Sequence, residues 1–320
     1  MAAGEGVRDS GYFPTGYLQE GEERSIMLDL HIHTNASSDA QHPPAELLAM
    51  CRETGLKHVA FADHNGVGSL SEAIRLAPEY GIDFIPAVEF NSYLGVIDPH
   101  VLDLHVLAYG VDPTDTRLLA WLTEIEREKV WQSAERLKRF QEIGFALDEA
   151  DMDRFSEGRT PTGASYLKAL LSRSENEDDP RLVPYLSGKK AASPYYNFYR
   201  DFLRDGPAFI PLAGAATPKV VARIRQLGAV AVLAHPAQTA DSVVEHLVEA
   251  GLQGLEVYCN YHDTERRSHF LALSRALGLL ATAGSDFHGT FYKPDIKLGS
   301  ITGGEGVSVE RLKEAMGYSK

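Results

Sequence analysis

His31 and His33 stand two residues apart in Asp29-Leu30-His31-Ile32-His33-Thr34. On a β-strand that spacing turns both imidazoles to one side, which a helix would not do. The pattern returns along the chain. His64 follows the apolar run 59–63, Glu89 ends Phe84-Ile85-Pro86-Ala87-Val88, and His105 lies in Leu104-His105-Val106-Leu107. His235 closes the run 229–234, and Asp286 and His288 are again two apart after 279–285. Asp39, in Ser37-Ser38-Asp39, adds a carboxylate just beyond the first pair. A single histidine in an apolar run is ordinarily a packed core residue, and a single aspartate after a strand is ordinarily a turn residue. Nine such residues spread over successive strand-like runs read instead as one metal-binding pocket. Six imidazoles and three carboxylates suit zinc, manganese or iron, whereas magnesium and calcium favour all-oxygen shells. Nine donors are too many for one ion; three divalent ions with three or four protein ligands each would use them. Neighbouring divalent ions generate hydroxide at neutral pH and clamp both oxygens of a phosphoryl transfer. The chemistry expected is hydrolysis, with Glu89, Asp286 and His288 at the reacting centre. Asp29 and Asp63, next to the candidates, are expected to orient ligand histidines from behind.

The elements that would position these residues are strands alternating with helices. Strand-like runs occupy 26–33, 59–63, 84–90, 101–109, 229–234, 254–259 and 279–285. Helical patterns fall at 43–54, 70–80, 242–250 and 264–277. Alternation of this kind implies a parallel sheet. Because the chemical residues recur at strand ends, one shared barrel mouth fits better than an open sheet. The expected fold class is α/β, a distorted (β/α)7 barrel formed by 25–110 and 207–320. The stretch 111–206 breaks the rhythm. It opens with a long charged amphipathic helix over 118–144 and continues with an acidic loop at 175–180 and the aromatics Tyr185, Tyr195, Tyr196, Phe198, Tyr199 and Phe202. We read it as an inserted, mainly helical subdomain beside the mouth, and the polar stretch 1–24 as an N-terminal tail.

Composition narrows the function classes. With 44% hydrophobic and 24% charged residues the chain has the balance of a water-soluble globular protein. Its 31 basic against 45 acidic residues give a formal net charge of −14, which argues against broad binding to duplex nucleic acid or anionic membrane. A small anionic substrate is compatible with that charge, since divalent ions reverse the local field where they bind. The two cysteines, Cys51 and Cys259, make no disulfide framework. With no signal-peptide pattern or long apolar span either, a cytoplasmic enzyme is expected.

These motifs resemble the PHP family (polymerase and histidinol phosphatase domain), in its stand-alone metal-dependent phosphoesterase branch. The resemblance covers about 27–110 and 228–289 and implies a distorted seven-stranded barrel with a trinuclear site. Carried onto this sequence, it implies that His31, His33, Glu89 and Asp286 hold one ion. Asp39, His64 and His288 would hold a second, and Glu89, His105 and His235 a third, with Glu89 bridging. Two departures stand out. The spacing from His33 to Asp39 is one residue longer than the branch pattern. Members that cleave nucleoside 3′,5′-bisphosphates or trim RNA carry an Arg-x-His pair at the start of an insertion helix. Here the comparable place reads Arg159-Thr160-Pro161-Thr162-Gly163, without the histidine.

A phosphate ester also needs protein cations. Arg159 and Lys293 are the preferred substrate contacts, one opening an insertion helix and the other following Asp286-Phe287-His288. His262 follows a strand and is a candidate proton donor to the leaving group. The expectation is a phosphoesterase for a small phosphomonoester, most naturally a nucleotide (5′-monophosphate or 3′,5′-bisphosphate). A metal-bridging hydroxide would attack phosphorus. The alternatives are a 5′-3′ exoribonuclease or cyclic phosphodiester hydrolase and, less favoured, an amidohydrolase or a non-catalytic nucleotide-binding module.

Overall fold

The structure is a computed structural model that describes residues 27–97, 100–156, 158–204, 206–237, 239–301 and 304–318. The N-terminal tail read at 1–24 lies outside the described residues. The first half of the barrel comprises β1 (Leu28–Ile32), α1 (Pro44–Glu53), β2 (His58–Phe61), α2 (Leu70–Leu76), β3 (Asp83–Ile97) and β4 (His100–Tyr109). The long α3 (Thr116–Glu142) then leads into α4 (Glu149–Ser156), α5 (Gly163–Ser172), α6 (Val183–Leu186) and α7 (Pro194–Phe198). The chain returns through α8 (Thr217–Gln226), β5 (Val230–Leu233), α9 (Asp241–Glu249), β6 (Gly254–Tyr258), α10 (Thr264–Ala276), β7 (Leu280–Ala283) and α11 (Val309–Ala315).

The seven strands lie side by side in chain order. The sheet nearly closes, because β1 meets the segment after β7 through a bridge between Ile32 and Phe287. Two backbone bonds fasten that seam: the His33 amide donates to the Phe287 carbonyl at 2.9 Å and the Asp286 amide to the His31 carbonyl at 2.8 Å. The expected barrel is therefore present, with one correction to its all-parallel character. β3 runs past Phe90 to Ile97 and pairs antiparallel with β4, which is also antiparallel to β5; every other neighbouring pair is parallel. Antiparallel neighbours need no crossover helix, so no helix separates β3 from β4. His105 consequently lies within β4 rather than at a strand's C-terminal end.

The period of two explains how a fully buried strand also carries ligands. All five residues of β1 are buried, Leu28, Leu30 and Ile32 on one face and Asp29 and His31 on the other. The apolar face belongs to the main core, with Leu47, Leu48 and Cys51 of α1 and Val59 and Phe61 of β2. Burying a leucine or phenylalanine side chain contributes about 1.5–3 kcal/mol. That covering of helices stabilises the barrel and leaves the alternate face free for polar groups.

A second apolar core gathers Leu137, Phe140, Tyr166, Leu167, Leu170 and Phe198 with their neighbours across 137–208. The helix α3 links the two cores. Leu118 and Trp121 near its start pack in the barrel core, whereas Leu137 and Phe140 near its end pack in the second. Among the described residues no helix is long and apolar enough to cross a membrane.

Candidate metal centre

All nine candidate ligands gather at one end of the barrel. Glu89, fully buried at the end of the barrel portion of β3, lies at their middle. Its Oε2 is 3.2 Å from His31 Nε2, 3.1 Å from His33 Nε2 and 3.2 Å from His64 Nδ1. Its Oε1 is 2.9 Å from His105 Nδ1 and 3.2 Å from His235 Nε2. Asp286 Oδ1 stands 3.6 Å from His31 Nε2 and 3.3 Å from His33 Nε2. Asp39 Oδ2 stands 3.6 Å from both His64 Nε2 and His288 Nε2. Three sets of donor atoms lie within 4.8 Å of one another: His31, His33, Glu89 and Asp286; His33, His64 and His288; and His64, Glu89 and His105.

Hydrogen bonds behind the imidazoles aim their lone pairs inward. His31 Nδ1 is 3.0 Å from Glu256 Oε1, His33 Nδ1 is 3.3 Å from Ser37 Oγ, and His288 Nδ1 is 2.9 Å from the Asp286 carbonyl. An N–H donated at Nδ1 leaves Nε2 as the acceptor that a cation needs. Asp29 and Asp63 do this work differently from the expectation, since neither carboxylate touches an imidazole. Asp29 accepts the backbone amides of His31, Ser285 and Gly299, tying β1 to the far end of the chain. Asp63 accepts the Thr34 amide and the Ser37 hydroxyl, and Ser37 Oγ in turn accepts the His64 amide. Both aspartates shape backbone, because short side chains at strand ends reach nearby amides first.

Two candidate ligands have left-handed backbone, His235 at φ 26° and Asp286 at φ 58°. Such conformations cost non-glycine residues about 1–3 kcal/mol and persist where surrounding structure holds them. Here Glu256 Oε2 accepts the His235 amide at 2.8 Å, and the Asp286 amide is fixed on His31.

The electrostatics are those of a cation site. Burial works to raise the Glu89 carboxyl, but His31, His105 and His64 outweigh it and hold it well below the usual range. Asp286 is likewise held down against burial, by Lys293, His288 and His31. Burial opposes protonation of His31 and His105, yet Glu89 and neighbouring carboxylates prevail, raising both, His105 to about 9. Burial pulls His64 and His288 the other way, towards the neutral imidazole. Glu89 Oε2, His64 Nδ1 and Asp39 Oδ1 are buried without a hydrogen-bond partner. Orphaned polar atoms are rare in folded proteins, and here they converge. Divalent cations would satisfy them together, so the residues fit the group that the donor set implies.

The three residues expected to touch substrate part company. Lys293 belongs to the centre, its Nζ 2.5 Å from Asp286 Oδ2 and 3.0 Å from Tyr261 Oη. Arg159 is exposed, and its side chain makes no hydrogen bond or ion pair among the described residues. His262 must be reassigned. It is buried, with Nδ1 2.8 Å from the Val257 carbonyl and Nε2 accepting the Ala237 amide at 3.0 Å. Both ring nitrogens are engaged by backbone, so it braces the loop after His235 and has no proton to deliver.

Glu256 escaped the sequence reading, although a glutamate inside Gly254-Leu255-Glu256-Val257-Tyr258 carries the same signal as Glu89. Tyr261, which donates to Asp286 Oδ2 at 2.6 Å, carries none.

The PHP domain, as a sequence family, matches residues 29–177. The 3′,5′-nucleoside bisphosphate phosphatase of Chromobacterium violaceum is 27% identical over 268 residues, which is 82% of this chain and 87% of that protein. The phosphoribosyl 1,2-cyclic phosphate 1,2-diphosphodiesterase of Eggerthella lenta is 28% identical over 267 residues, covering 82% of this chain and 94% of that one. A crystal structure from Bifidobacterium adolescentis superposes with a TM-score of 0.68 at 23% identity, covering 93% of this chain and 98% of the other.

Proposed function

The chain belongs to the PHP domain family, and from that premise we infer that it is a metal-dependent phosphoesterase acting on a small phosphomonoester, a nucleotide above all. The observation that carries this reading is the position of Glu89. Five imidazole nitrogens surround its two oxygens, the arrangement of a carboxylate shared between cations. His31, His33, Glu89 and Asp286 would hold one ion, Asp39, His64 and His288 a second, and Glu89, His105 and His235 a third. Manganese, zinc and iron suit these donors. Ions bound there supply a water-derived nucleophile at neutral pH and Lewis-acid stabilisation of the phosphoryl oxygens.

The protein's own groups divide the remaining work. The side chains of His31, His33 and Glu89 are fully buried, and those of Asp286 and His288 nearly so. His64, His105 and His235 are 17–22% exposed and Asp39 is 45% exposed. Substrate therefore approaches over that exposed rim, with the buried group as the floor. Lys293 and Tyr261 hold one oxygen of Asp286 and leave the other facing His31 and His33. That fixed orientation is worth most where water is excluded. The two named relatives cleave a monoester and a cyclic diester, so the leaving group is the finer question. Cys51 and Cys259, both buried and free, favour a reducing, cytoplasmic setting.

The decisive experiment measures phosphate release by protein reloaded with Mn²⁺, and separately with Zn²⁺, beside an Asp286→Asn control. The panel holds nucleoside 3′,5′-bisphosphates, 5′-monophosphates, a cyclic phosphodiester and a short 5′-phosphorylated RNA. We expect release from a nucleotide that the control abolishes. No turnover of any member with metal demonstrably bound would overturn the reading and favour amide hydrolysis or binding alone.

A further inference from the structure

The antiparallel ribbon of β3 and β4 runs from the metal centre to the inserted subdomain. Asn91 stands opposite His105, and Tyr93 stands opposite Asp103. With a period of two, Glu89, Asn91, Tyr93, His105 and Asp103 all lie on one face of the ribbon. At its inner end that face carries the candidate ligands Glu89 and His105. At its outer end it meets the insertion and the chain returning from it. The Tyr93 hydroxyl donates to the Leu212 carbonyl, and Asp103 Oδ2 accepts the Tyr199 hydroxyl at 2.9 Å.

The other oxygen of Asp103, Oδ1, lies 4.0 Å from His105 Nε2, while the second ring nitrogen, Nδ1, faces Glu89 Oε1 at 2.9 Å. An imidazole that gives Nδ1 to a cation carries its proton on Nε2. A carboxylate facing that proton fixes the ring and makes it the better donor. Asp103 is thus to His105 what Glu256 is to His31, at longer range. Tyr199 is built to hold it. The residue opens the π-helical turn Tyr199–Arg204 after α7 and packs on the second apolar core. The start of α5 approaches it so closely that a Cβ on Gly163 would lie 3.0 Å from Tyr199 Cβ. The hydroxyl that reaches β4 therefore comes from a ring that its own subdomain fixes.

We propose that Tyr199 is a positioning residue for the ion that Glu89, His105 and His235 would hold: through Asp103 it sets the His105 ring, and so couples the inserted subdomain to occupancy of that ion. This rests on the ligand assignment above and gives the insertion a task at the centre. Coupling is reciprocal, so an ion bound there steadies the insertion as much as the insertion favours the ion.

The test titrates metal-free protein with Mn²⁺, following stepwise affinity by calorimetry and bound metal by elemental analysis. Tyr199→Phe removes the hydroxyl and Asp103→Asn removes the charge. Tyr185→Phe is the control, since its hydroxyl donates to Asp201 at 2.7 Å within the same subdomain. One binding step should weaken about 10-fold in Tyr199→Phe and in Asp103→Asn, with the others within about threefold and the control matching the wild type. The double variant should lose no more than the weaker-binding single one. Amide exchange across 163–204 should slow on adding Mn²⁺ to the wild type but not to Tyr199→Phe. Equal weakening of every step, weakening of none, an additive double variant, the same loss in Tyr185→Phe, or exchange that answers Mn²⁺ alike in both proteins would overturn the proposal. Phosphate release separates this from the parent reading. If the wild type binds the ions but cleaves no substrate, a loss confined to one step in Tyr199→Phe leaves the coupling standing while the enzymatic reading falls. Phosphate release by a wild type whose binding steps Tyr199→Phe leaves unchanged does the reverse.

Discussion

Glycine at position 284 is required by what stands opposite it. A Cβ there would lie 2.2 Å from His31 Cβ and 2.5 Å from Glu256 Oε1. Both neighbours belong to the pair that sets the His31 ring, so neither can withdraw without moving a candidate ligand. Gly284→Ala should destabilise the fold by about 1–3 kcal/mol. It should also lower metal content, which denaturant unfolding and elemental analysis of the purified protein would read separately. At this scale the sequence spoke clearly about the nine donors, because each alone has an ordinary structural reading but nine along successive strand-like runs do not. It was silent about Tyr261, which looks like any packing tyrosine until its hydroxyl is seen on Asp286. It was equally silent about the left-handed backbone at His235 and Asp286, since neither is a glycine.

The strands of the barrel serve one another's ligands. Glu256 of β6 reaches His31 of β1 through its ring and His235, just after β5, through its backbone. Glu256→Gln keeps one acceptor oxygen, enough for the His235 amide, but sets an NH2 against His31 Nδ1 and removes the charge behind that ring. We expect metal affinity to fall about 10- to 100-fold with the fold retained, as measured by competition against a chelator. The order of strands and the outer helices was legible from alternating periodicities, since a period of two and one of 3.6 leave different marks. The antiparallel β3–β4 pairing was not legible. A buried strand shows the same apolar run whichever way its neighbour points, and direction is set by the connection.

For the whole molecule, cations and protons compete for the same donors. His105 is raised from 6.5 to about 9, and His31 is raised as well, because carboxylates surround them. A group whose pKa rises on folding contributes stability that is complete below its unfolded value and lost as pH climbs through the folded one. The metal-free protein should therefore lose thermal stability between pH 6.5 and about 9. Over the same interval Mn²⁺ should stabilise increasingly, since fewer protons must leave. Melting curves with and without a chelator would check both slopes; parallel curves would show that these imidazoles are not the metal's competitors. The seam carries a different consequence. His31 leans on Glu256 and Asp286, and β1 closes against Phe287, so the centre joins residues about 255 positions apart in the chain. During synthesis the first histidines leave the ribosome long before their partners. An early ion would find only His31, His33, Asp39 and His64, a loose and exchangeable set. Tight capture waits for the last strand, which makes metal loading an act of completion rather than a seed for folding.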